Sequence, residues 1–201
     1  MEVTLSPLGK DALMEAMNIG AGHAANALSQ MTDMKVDIST PRLELIRVEA
    51  VSVFTGKPDD IMSVVLVQVL GDAPGVMLLM FPRESALKIA YLLMRKEHAL
   101  LTEIDRAALR EVGNVLAGSC LTSLGNFLKM SFIQSVPNAA TDMAGALITS
   151  ALAEIGKSSE KVLISEVNFM IKELDADGKI FFLFDPSSTQ KILDATTKLI
   201  P

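Results

Sequence analysis

Apolar residues near the start of the chain fall at Leu8, Ala12, Leu13, Ala16 and Met17, and the rhythm resumes at Ala24, Ala25, Leu28 and Met31. Steps of three and four place these side chains on one face of a helix. The spacing predicts a single helix over about 7–31, with Ser6 as N-cap and Pro7 as first helical residue. Gly20 and Gly22 lie inside it. Each costs about 1 kcal/mol relative to Ala in a helix interior, which close approach of a second helix would offset. Gly20-x-Gly22-x-x-Ala25 also fits the dinucleotide-loop fingerprint, but that loop must follow a strand and open a helix. Here the preceding residues are already helical in pattern, so a nucleotide loop is excluded.

Further along, SVVLVQVL, GVMLLMF and KIFFLF are continuous apolar runs of strand length. The full pattern predicts strands at about 35–39 and 43–54, paired strands at 61–70 and 75–82, and a helix at 83–95. A second long helix at 103–128 follows, then a strand at 130–135 and a helix at 139–155. Strands at 161–173 and 178–185 and a helix at 187–199 complete it.

These elements form two copies of one unit. At an offset of 96, Glu15 falls on Glu111, Asn18 on Asn114, Ala21 on Ala117, Gly22 on Gly118, Leu28 on Leu124 and Pro41 on Pro137. At an offset of 103, GVMLLMFP resembles GKIFFLFDP and Lys88-Ile89 matches Lys191-Ile192. Gly20 is replaced by Leu116 and stands outside the shared pattern. The expected fold is therefore α/β, an α+β sandwich-like single domain over 1–201. Its two pseudo-symmetric repeats, about 7–98 and 103–200, share one sheet, and each has a long motif-bearing helix.

Composition narrows the function. Half the residues are apolar and the net charge is −6, which excludes a disordered chain. No Lys/Arg run appears, so nucleic acid is not expected as a partner. The apolar runs fall far short of the roughly 20 residues of a spanning helix, so no membrane insertion is expected, and no signal peptide is recognised. The single cysteine, Cys120, rules out a disulfide framework within the chain and fits a cytoplasmic protein.

Glu15 and Asn18 are three apart and so project from one face of their helix, as do Glu111 and Asn114. One such pair is ordinarily a solvated surface. Its recurrence differs, because packing preserves core residues between repeats but gives no reason to preserve an exposed acid and amide. Pro41 and Pro137 have a backbone reading, fixing φ where a strand begins or ends. A carboxamide has no useful pKa, yet it can hold a water in line with a phosphorus atom, and positioning carries much of phosphoryl-transfer catalysis. A carboxylate one turn away could anchor a partner's cation. Such a pair suits a site completed by a partner that brings the metal and the phosphate.

Asp11-x-x-x-Glu15-x-x-Asn18, followed after 22 residues by Pro41, resembles the [D/S]-x-x-x-E-x-x-N-x(22)-P pattern of the CheC/CheX/FliY family of chemotaxis phosphatases. EAMNIGAGHAANAL is similar to the family's first helix. Glu111, Asn114 and Pro137 repeat the pattern, with Ala107 where Asp or Ser is usual and Asp105 on another helical face. Two motif copies resemble the CheC-type arrangement. The resemblance implies a phosphorylated CheY-type response regulator as substrate, with Asn18 and Asn114 orienting the attacking water and Glu15 and Glu111 contacting a regulator lysine. It also implies Mg²⁺ supplied by that regulator, no cofactor or metal of the chain's own, and the receptor deamidase CheD as a second partner. The first site is expected to be fully competent and the second similar or weaker. A non-catalytic binding module for a response regulator or CheD is the alternative.

The other candidates are structural. His23 and His98 have no nucleophile-elbow motif to serve. Cys120 is expected to be buried and inert, and no metal-ligand spacing occurs. Asp175-x-Asp177-Gly178 lacks the Glu of a calcium loop, Phe184 standing there, and reads as a hairpin turn. Met77, Met80 and Met94 are expected to fill the core. The helix at 139–155 is expected to cap the core, and the family resemblance suggests it as a CheD contact.

Overall fold

A computed structural model describes residues 7–96, 99–155 and 160–198. The elements are α1 (Pro7–Thr32), β1 (Val36–Ile38), β2 (Arg42–Arg47), α2 (Val51–Thr55), β3 (Ile61–Gly71), β4 (Gly75–Pro82) and α3 (Arg83–Met94) in the first half. The second half has α4 (Glu103–Leu128), β5 (Phe132–Gln134), β6 (Asn138–Met143), α5 (Ala144–Ile155), β7 (Lys161–Ile171), β8 (Ala176–Phe184) and α6 (Pro186–Thr197). Ser6 and His98 lie outside the described residues.

One eight-stranded antiparallel sheet runs β1-β7-β8-β4-β3-β5, with β2 also on β7 and β6 also on β3. Each half thus lends its two short strands to the long strand of the other. The registers repeat as well: Val36 pairs with Ile171 and Phe132 with Gly71, Arg42 with Glu166 and Asn138 with Leu66. At the centre, Leu78 of β4 faces Phe181 of β8, its own counterpart at the offset of 103. A pseudo-two-fold axis therefore passes between them.

Alternation along the strands divides the core. Met77, Leu79 and Phe81 of β4, with Ile180, Phe182 and Phe184 of β8, face α1, α3, α4 and α6. Val76, Leu78 and Met80, with Phe181 and Leu183, face α2 and α5. Both faces of the sheet are buried, which is why these strands read as unbroken apolar runs rather than alternating ones. The retained lysines have a structural use. Lys88 donates to the Asp175 carbonyl and, at 2.9 Å, to its carboxylate, while Lys191 donates to the Asp72 carbonyl at 2.9 Å. Each ties a closing helix to the hairpin of the other half.

Three expectations need correction. The strand expected over 43–54 stops at Arg47, and a 3-10 turn (Val48–Ala50) leads into α2. Burial of Val51 and the bond from the Thr55 hydroxyl to the Val51 carbonyl, 3.1 Å, hold that turn against its β-branched composition. The helix expected over 139–155 begins only at Ala144. Residues Asn138–Met143 form β6 on β3, where the Thr141 and Ser63 hydroxyls bond at 3.0 Å. The alanines there imitate helix composition, but pairing with β3 decides the state. Met94 is 36% exposed, unlike the buried Met77 and Met80.

Candidate functional site

Helix α1 turns Leu13, Ala16, Met17, Gly20, Ala21 and Ala24 into the core. Asp11, Glu15 and Asn18, at steps of four and three, occupy the opposite, solvent-exposed face. Among the described residues, Glu15 makes no ion pair and Asn18 no side-chain hydrogen bond. Both are free to engage a docking molecule. The path from Asn18 to Pro41 follows the fold: α1 ends at Thr32, Asp33 turns the chain at φ 54°, and β1 pairs with β7. Buried Pro41 then directs the chain into β2.

The second copy begins with a capping box, in which the Thr102 hydroxyl and the Asp105 carboxylate each bond the other's backbone N–H. Asp105 is therefore buried in the helix start and does not replace the acid missing at exposed Ala107. Glu111 is exposed, and among the described residues it too has no ion pair. Asn114 is half-buried. The Gln134 Nε2 donates to the Asn114 Oδ1 at 2.7 Å and to its backbone carbonyl at 3.3 Å. At the offset of 96, Gln134 corresponds to Ile38, so Asn18 has no such neighbour. Ala107, Glu111, Asn114, Gln134, Val136 and half-buried Pro137 help line an open groove of about 480 Å³. Val136 stands 89% exposed at its rim.

Gln134 was not among the residues singled out in the sequence. A polar residue standing where the first half has an apolar one was the available signal. Its Oε1 is buried without a partner, a deficit of about 1–3 kcal/mol for a desolvated acceptor.

Helices α1 and α4 pack tightly together. A methyl group built on Gly20 would lie 2.7 Å from the Cys120 Sγ, so the second helix does approach closely there. Nothing lies within 4 Å of the same position on Gly22. The Ser119 hydroxyl donates to the His23 carbonyl at 3.1 Å, leaving the His23 side chain at the surface. Cys120 is buried, and desolvation pushes its thiol up to about 12. Asp177 receives a bond from the Ser85 hydroxyl at 2.8 Å, and its N–H returns one at 3.1 Å. Asp175 takes the left-handed turn conformation, φ 48°. Among the described residues no three His, Cys, Asp or Glu side chains gather where a metal could sit, and no helix is long and apolar enough to cross a membrane.

Two family profiles match the chain: the CheC-like family over residues 8–45, and the chemotaxis phosphatase CheX over residues 63–162. The CheY-P phosphatase CheC of Bacillus subtilis is 30% identical over 192 residues, covering 92% of each chain. The crystal structure of Thermotoga maritima FliY aligns with a TM-score of 0.80 at 24% identity, covering 98% of this chain and 99% of that one. The CheX–CheY–BeF₃–Mg²⁺ complex of Borrelia burgdorferi contains a chain that aligns at a TM-score of 0.58 and 20% identity, covering 86% and 99%.

Proposed function

The chain belongs to the CheC-like family of chemotaxis proteins, and we propose that it hydrolyses the aspartyl-phosphate of a CheY-type response regulator. One observation carries this reading. An exposed Glu without an ion pair among the described residues and an Asn project together from α1, and the same pair recurs on α4 in a repeat that otherwise shares mainly buried residues such as Ala21 and Ala117, and Leu28 and Leu124. The 30% identical relative is a CheY-P phosphatase, and the Borrelia neighbour is a CheX bound to CheY.

In this reading Asn18 and Asn114 hold the attacking water in line with the phosphorus by hydrogen bonding, without acting as bases. Glu15 and Glu111, free of internal cations, each meet a regulator lysine and fix the docking register. The regulator carries its own Mg²⁺ as part of the substrate, where it neutralises charge developing on the phosphoryl oxygens. The protein contributes position, which can account for several kcal/mol of a barrier. A CheD-type deamidase is a second partner. In α5, the candidate contact, Ala144, Ile148 and Ala151 are buried against the sheet, leaving the opposite side of the helix for such a contact.

Release of phosphate from a phosphorylated CheY-type regulator, with and without CheD, tests the proposal. Wild type should accelerate release, and Asn18→Ala together with Asn114→Ala should reduce it to the regulator's intrinsic rate while binding persists. Persistent binding with no acceleration by wild type would leave a binding module in place of the enzyme.

A further inference from the structure

We infer that Gln134 is a positioning residue of the second site, locking the Asn114 carboxamide with its NH₂ outward; the inference rests on the phosphatase reading. The orientation follows from the one acceptor that cannot flip. Gln134 faces the Asn114 backbone carbonyl at 3.3 Å, so the Gln atom there must be the Nε2 donor. The same nitrogen lies 2.7 Å from the Asn114 side chain, so the atom it meets must be the acceptor Oδ1. The Asn114 NH₂ is thereby left to point away from Gln134.

The surroundings are arranged around this contact. Gly118 borders it, and a methyl group there would sit in ordinary van der Waals contact with the Gln134 Oε1, at 3.4 Å. Gln134 keeps its Oε1 buried and unpaired, whereas the matching position of the first half holds Ile38, which leaves no such deficit. A side chain that leaves its own acceptor buried and unpaired points to a constraint other than folding. The two motif copies therefore hold the same amide differently: Asn18 is exposed with no side-chain hydrogen bond among the described residues, while Asn114 is preset with two N–H donors facing the groove. Ordering one side chain in advance is worth about a three- to tenfold rate advantage.

The test uses full-length protein with Asn18→Ala, so that only the second site reports. Adding Gln134→Ile, which copies the first half, should lower kcat for phosphate release about three- to tenfold with KM within about twofold. Gln134→Glu keeps the shape and removes the donor, and should give the same loss. In the presence of Asn18, Gln134→Ile should leave the first-site rate intact, which shows that the protein is folded. Independently of activity, the Asn114 side-chain NH₂ resonances should move toward those of a free amide in Gln134→Ile. An unchanged or raised kcat in Gln134→Ile, a loss in Gln134→Ile that Gln134→Glu does not share, or a second site already silent in Asn18→Ala would each overturn the inference. Absence of phosphate release by wild type would instead defeat the phosphatase reading itself.

Discussion

Two glycines two residues apart on α1 should respond unequally to the same substitution. Gly22→Ala meets open space and should stabilise by about 1 kcal/mol through helix propensity alone. For a chain of 201 residues that is about 2–4 °C in Tm. Gly20→Ala gains the same propensity, but its methyl lands 2.7 Å from the Sγ of Cys120 and 3.5 Å from the Cys120 carbonyl oxygen. The carbonyl contact is ordinary, but Cys120 is a short side chain in a filled core, so its Sγ does not yield cheaply. Overpacking of this kind costs about 1–3 kcal/mol. Gly20→Ala should therefore fall below Gly22→Ala by that amount. Urea unfolding of both variants measures the difference. Cys120→Ala removes the sulfur and should restore the propensity gain to Gly20→Ala, giving a coupling of about 1–3 kcal/mol in a double-mutant cycle. Additivity of the two substitutions within about 0.5 kcal/mol would refute the packing account of Gly20.

Two further outcomes follow from charge and burial. Cys120, with its thiol pushed up to about 12 by desolvation, should resist a maleimide in the native protein and react on addition of denaturant; rapid native labelling would contradict the close α1–α4 packing. Lys172, then Lys35, hydrogen-bonds the Asp37 carboxylate and holds its pKa at about 2 against an ordinary 3.8. A carboxylate depressed in the folded state stabilises fully above its unfolded value, and that contribution is lost as pH falls through the folded one. Wild type should thus lead Asp37→Asn in urea midpoint above about pH 5 and converge with it toward pH 2. A gap that stays constant with pH would show that the effect is not ionisation.

The repeat was the most legible feature, because it is written in residue identity rather than propensity. Helices α1 and α4 occupy matching spans, and the strands buried on both faces are visible as apolar runs. What sequence reading mistook were short elements whose state is decided by tertiary pairing. The stretch after Arg47 is rich in valine yet helical, because its partner β7 begins at Lys161, opposite Arg47, and Val51 turns into the second core. Residues 138–143 are small and helix-like in composition yet form β6, because β3 has an edge to fill. The repeat itself held the correction: at the offset of 96, Val48 corresponds to Ala144, the first residue of α5. Gln134 showed only as a mismatch with Ile38 between the halves. Its significance lies in a contact across the chain, and no spacing rule on one element encodes that.

What diverged between the halves is as informative as what stayed. Glu and Asn persist at both sites, while their surroundings change in kind: Asp11 becomes Ala107, Met14 becomes Arg110 and Thr40 becomes Val136. Around α1 the rim is the more acidic and polar. Around α4 it carries Val136, 89% exposed. Rim charges act mainly on encounter rate and partner choice, whereas a central pair acts on what happens once docked. A pair needed only for solubility would have drifted with its neighbours, and a rim needed for one common docking mode would have been held with the pair. Under the phosphatase reading, the halves share a chemical step and differ in the surface that receives the regulator. Discrimination among regulators would then belong to the rims, with Glu and Asn common to all.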